Sequence, residues 1–260
     1  MQITLRLDSL RRLLMAVLAA LLVAGLLAEI ADKVWHARDA EALLEFVSLS
    51  EEQNLPTWFS SVLLFSCGAV LAAIAASKRS THAPYARHWW GLAAGFFYIS
   101  LDEAVQIHEH AGGWVDAGGI LYFDWVIPAS ILIGILSVSY LGFLAHLPRI
   151  VRWRFVAAGL LYVGGAVGME LPLGWWTDRA GSHNLTYALI DWVEESLEMI
   201  GVSVFLYALI GYAAYPLGMV RIFVPEAGGA PPARAAAAAE TPAGAIGLER
   251  DPSSTDLRYR

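Results

Sequence analysis

The chain has 260 residues, of which 57% are hydrophobic and only 16% charged, and 17 Lys and Arg stand against 24 Asp and Glu for a formal net charge of −7. That composition excludes an ordinary soluble domain, and without a basic stripe it also excludes a nucleic-acid-binding surface. What it predicts is an all-α polytopic membrane protein surrounded by a lipid bilayer.

Windows with little or no charge, each long enough to cross a bilayer at about 20 residues, fall at 11–31, 57–77, 89–110, 123–146, 153–173 and 186–214. They predict six transmembrane helices in a domain covering 1–223. The first, "RRLLMAVLAALLVAGLLAEIADK", has the basic start and apolar core of a secretory signal. Its core is longer than a signal's, and the charge pattern requires six spans, so it reads as an uncleaved anchor. Residues 36–56 read as a long acidic loop, with Glu29 and Asp32 as surface residues at its border. The lone Cys67 lies mid-span and reads as a small buried hydrophobe. From 224 to 260 the chain is rich in Ala, Pro and Gly and reads as a disordered cytoplasmic tail.

Loops retained in the cytoplasm carry an excess of Lys and Arg. Arg6, Arg11 and Arg12 precede the first window; Lys78, Arg79 and Arg87 separate the second and third; Arg149, Arg152 and Arg154 separate the fourth and fifth; Arg221 and four more follow the sixth. The alternate loops hold Lys33, Arg38 and Arg179 alone. Fourteen of the 17 basic residues therefore mark one side, which predicts both termini in the cytoplasm and residence in a bacterial inner membrane.

On that topology the intramembrane acids collect near the outer surface. The third window supplies Asp102, Glu103, His108 and Glu109, the fifth Glu170, and the sixth Asp191, Glu194, Glu195 and Glu198. At 100° per residue the four acids of the sixth window fall within an arc of about 100°, a carboxylate stripe opposite Val193, Leu197 and Ile200. Asp102, Gln106 and Glu109 share a face of the third, with Glu103 and His110 at its margin and His108 pointing elsewhere. Ionisable residues inside spans face the bundle or a wet cavity, so the third, fifth and sixth spans are expected to converge, with the first as a further neighbour. A hydrated helix end is the plainer explanation, but four acids in eight residues exceed what an end needs. Gly164 and Gly168, in small-x-x-x-small spacing before Glu170, predict a close helix contact. His36, His82, His88, His146 and His183 read as solvated, and most of the ten Trp as belt residues.

No Lys or Arg lies between His88 and Pro148, between Phe155 and Asp178, or between Ala180 and Val220. Carboxylates crowded in low dielectric cannot all stay ionised, so they must share protons, coordinate a cation or meet water. Glu with His on adjoining helices is a metal-binding donor set of helical bundles. The expected site is a divalent or transition metal held by Glu103, His108, Glu109, Glu170, Glu195 and Glu198, with Asp102, Asp191 and Glu194 behind them as acceptors or proton relays. Such a metal would act on a small lipid-borne or periplasmic substrate. The rival expectations are a proton- or cation-coupled transporter and an accessory subunit whose acids bind a protein partner.

"LLFSCGAV" at 63–70 parallels "LLYVGGAV" at 160–167, and "LDEAVQI" at 101–107 parallels "VEESLEM" at 193–199, a hint of duplication. The motifs L-D-E-x-x-x-I-H-E at 101–109 and E-E-x-L-E-M-x-G at 194–201 resemble those of an uncharacterised group of bacterial six-span membrane proteins. The resemblance covers roughly 95–215 and implies no activity.

The predicted topology is checked with single cysteines in a Cys67→Ser background. Positions within 36–56 and 174–185 are expected to react with a membrane-impermeant maleimide on intact cells, and those at 80–86 and 147–152 only after lysis.

Overall fold

A computed structural model describes residues 2–38, 40–107, 118–214 and 219–223. The described chain is helical apart from two short strands that flank the helices, β1 (Gln2–Arg6) and β2 (Met219–Phe223). The expected tail at 224–260 lies outside the described residues, as do His108 and Glu109. All the helices belong to one compact unit, Thr4–Val220.

Helix α1 (Leu7–Lys33) leads into a short α2 (Ala40–Val47), so the stretch read as an acidic loop contains a helix, and α2 packs against α1. Asn54 then caps α3 (Leu55–Ser80), its side chain accepting from the Thr57 N–H, with Pro at the start of the helix where no donor is needed. After a turn, α4 (Ala86–Val105) runs back along α3. It ends where Gln106 adopts a left-handed conformation, φ 58°, and its N–H bonds Asp102 O. The third helix is therefore shorter than the window 89–110.

The fourth window is interrupted. Helix α5 (Val126–Ser139) has 14 residues and α6 (Leu141–His146) follows the Tyr140 junction. At 1.5 Å per residue, α5 alone is about 21 Å long, short of the roughly 30 Å hydrocarbon core. Helix α7 (Arg149–Val163) continues through a π-helical turn at Gly164–Met169 into α8 (Glu170–Ala180), and α9 (Leu185–Ala214) closes the fold.

Among the described residues four helices are long and apolar enough to cross a membrane: α1, α3, the continuous Arg149–Ala180 and α9. The chain thus has the make-up of a multi-pass membrane protein. Helix α9 is the hub, packed against α1, α3, α7, the π-turn and α8. Toward its C-terminal end the core is apolar and aromatic: Cys67, Leu71 and Leu209 are fully buried, and Phe96 stacks on Phe205 at 4.8 Å. Trp89, read as a belt residue, is buried there and stacks on Tyr212 at 5.3 Å. His88, expected in solvent, lies parallel to Phe143 at 5.9 Å.

Helices α7 and α9 approach closely through glycines, though not the pair expected. A Cβ on Gly165 would stand 2.7 Å from Glu194 O, and one on Gly201 2.8 Å from Tyr162 N. At Gly164 it would meet nothing within 4 Å, and at Gly168 only Val163 O at 3.9 Å. The π-turn explains the difference, since its extra residue rotates the helix and turns Gly165 toward α9. Reciprocal Ser61 and Ser100 hydrogen bonds, hydroxyl to carbonyl at 2.9 and 2.8 Å, fasten α3 to α4.

Gly201→Val is expected to force α7 and α9 apart and destabilise the fold by about 1–3 kcal/mol. A lowered midpoint of thermal unfolding in detergent is the readout, with Gly159→Ala, where a Cβ meets nothing within 4 Å, as the unaffected comparison.

Candidate functional site

The acids gather around the N-terminal half of α9. One turn of helix separates Asp191 from Glu194 and Glu195, and another leads to Glu198. Opposite them, the last turn of α4 carries Asp102 and Glu103, and the first turn of α8 carries Glu170. Each neighbouring element thus reaches α9 at the same level.

On one side of α9, Tyr162 of α7 donates its hydroxyl hydrogen to Glu198. The same phenol lies in the field of Glu103, Glu195 and Asp102, so α4, α7 and α9 meet there. Glu195 in turn faces Glu198 and Glu103. On another side, Glu194 is 7% exposed and lies next to Glu170, Asp191 and Glu198. The Trp125 indole, at the head of α5, donates to Glu170 Oε1 at 3.0 Å. The π-turn immediately before Glu170 sets the rotation at which that side chain leaves the helix.

A third group surrounds Asp191, where Ser50 approaches the carboxylate and Glu29 and Glu51 add further negative charge. Glu29, expected at the surface, is 4% exposed and accepts from the Ser48 hydroxyl. The correction follows from α2, which folds the stretch 40–50 back over the end of α1 and covers that carboxylate. Trp192 ties α9 to α1 by donating to Leu22 O at 3.0 Å.

The structure therefore brings together Asp102, Glu103, Glu170, Asp191, Glu194, Glu195 and Glu198. His108 and Glu109 lie outside the described residues. Among the described residues, no three His, Cys, Asp or Glu side chains form a group set to hold a metal ion. The reason is visible in the geometry: Glu194 turns toward α8, whereas Glu195 and Glu198 turn toward α4 and α7, so the carboxylates share a level without converging on one point. Two of their oxygens, Glu194 Oε2 and Asp191 Oδ2, are buried with no hydrogen-bond partner. The nearest basic side chains are engaged elsewhere: Lys33 with Asp32 at 2.6 Å, and Arg179 over the Trp175 ring at 3.9 Å.

Sequence reasoning missed Tyr162, Trp125, Ser48 and Ser50. Tyr162 had a usable signal, being a hydroxyl two turns before Glu170 in an otherwise apolar run. Trp125 and the two serines had none, because their roles depend on how α5 and α2 fold back.

A family model described as Domain of unknown function (DUF8692) matches residues 10–211, and the chain belongs to that family. No curated protein and no solved structure matches it.

A buried carboxylate oxygen without a partner costs stability that an amide would not. Glu194→Gln is accordingly expected to stabilise the cation-free protein by about 1–2 kcal/mol, seen as a higher midpoint of thermal unfolding. An unchanged or lower midpoint would mean that the carboxylate is already balanced.

Proposed function

We propose that this DUF8692 protein is a six-span protein of a bacterial inner membrane, with both termini cytoplasmic, that binds a divalent or transition metal in an outward-facing carboxylate chamber. The single observation that carries the reading is Glu194 Oε2, buried without a hydrogen-bond partner among Glu170, Asp191 and Glu198. Negative charge in such surroundings calls for a cation, and carboxylate oxygens suit hard or borderline divalent ions. Glu103, Glu170, Glu195 and Glu198 would be the ligands, with His108 and Glu109 completing the shell, and Asp102, Asp191 and Glu194 as outer acceptors.

A metal held there supplies a Lewis acid for a lipid-borne or periplasmic substrate. Tyr162, hydrogen-bonded to Glu198, is placed to hold or pass a proton at its phenolic oxygen. A second reading, proton exchange within the chamber, draws support from the lack of a ready-made metal-ligand group among the described residues. In that case the carboxylates themselves would carry the titrating protons, as intramembrane acids do in relays.

Elemental analysis of detergent-purified protein, expressed without a metal-binding tag, separates the two. Metal at near-stoichiometric level, lost in a folded Glu103→Ala/Glu195→Ala variant, is the expected result. Protein that takes up no Mn, Fe or Zn even after reconstitution would remove the metal reading and bring proton exchange forward.

A further inference from the structure

An open groove of about 610 Å³ runs beside the π-turn, between α5 and the Arg149–Ala180 helix. Leu121, Val126, Ile131, Leu160, Val167 and Leu171 line it, and Ser130 contributes the one hydroxyl among its lining residues. Gly164 and Gly168 belong to the same wall. Neither brings helices together, as the substitution geometry above shows; their missing side chains leave the groove its depth.

Three observations select the occupant. The groove lies along a helix long and apolar enough to cross a membrane, so the medium outside it is hydrocarbon. The adjoining α5 is solvated by that medium, with Ile131, Ile135 and Val138 more than half exposed. Its volume suits a single ligand chain, whereas two turns of a partner helix 10–12 Å across displace about 1,000 Å³, more than the groove offers. One end of the groove is also polar. Val126 adjoins Trp125, and Gly168 and Leu171 bracket Glu170, so the apolar walls finish at the Trp125–Glu170 hydrogen bond.

We propose that this groove holds the hydrocarbon tail of one membrane lipid and presents that lipid's polar head to the carboxylate chamber at Glu170. The role of the head rests on the cation-chamber reading; the seat of the tail does not.

Photocrosslinking of the full chain in nanodiscs tests this, using phospholipids with a diazirine either near the head or at the acyl terminus. The head-proximal probe is expected to label Leu121 and Leu171, and the terminal probe Leu160. Gly164→Leu fills the groove without touching α9 and is expected to bring that labelling down to the level of other lipid-facing positions. Gly159→Leu, on α7 and equally unobstructed, is expected to leave it unchanged. Even labelling around α5 and α7, labelling indifferent to Gly164→Leu, or a chain-to-chain crosslink in place of lipid would each overturn the proposal. Metal content of the same preparations is read separately: a wild-type protein that labels in the groove but takes up no metal keeps the lipid seat and loses the cation chamber.

Discussion

Charge without an internal counter-charge is the constraint on which this molecule turns. Helix α9 carries four carboxylates in eight residues, and none of the helices packed around it brings a Lys or Arg to their level in sequence. An apolar interior does not hold ionised groups in isolation. The surrounding elements therefore read as an arrangement for managing that charge: the Tyr162 phenol on Glu198, the Trp125 indole on Glu170 and the Ser48 hydroxyl on Glu29 each supply a neutral donor to an acid. Neutral donors soften a charge without cancelling it, and Glu194 and Asp191 each keep an oxygen with no donor at all.

The rest of the bundle is built to tolerate this. Below the acids, the half of α9 that meets α3, α4 and α7 is apolar, with Phe205 between Phe96 and Phe155 and Leu209 fully buried. Stability is thereby concentrated at one end and polarity at the other. The glycines Gly165 and Gly201 connect the two ends by holding α7 against α9 at backbone distance, so that acids on different helices come within electrostatic reach. A looser contact would admit more water and relieve the crowding.

Much of this was legible in the sequence, for definite reasons. Long uncharged windows locate helices because a bilayer imposes length, and α1, α3, Arg149–Ala180 and α9 correspond to four of the six windows. The carboxylate stripe was readable because helical period alone places Asp191, Glu194, Glu195 and Glu198 together. Hydropathy could not register the Tyr140 junction, which divides one apolar window into α5 and α6, nor the left-handed Gln106, which stops α4 early, because both are local backbone events inside otherwise uniform composition. Glu29 misled for a related reason. Its burial depends on α2, a short helix in a stretch whose acidic composition resembles a loop. The glycine spacing pointed to the right helix and the wrong residues, since a period of 3.6 no longer applies across a π-turn.

That turn has one further consequence. Gly164–Met169 contains a surplus residue relative to an α-helix, and a surplus of this kind can be handed along a helix one peptide at a time. As it moves, the residues it passes rotate by about 100° while both ends of the Arg149–Ala180 rod stay where they are. Glu170 borders the bulge on one side and Tyr162 lies just before it on the other. The helix thus contains a screw thread between the two groups, able to re-aim one relative to the other without opening the bundle.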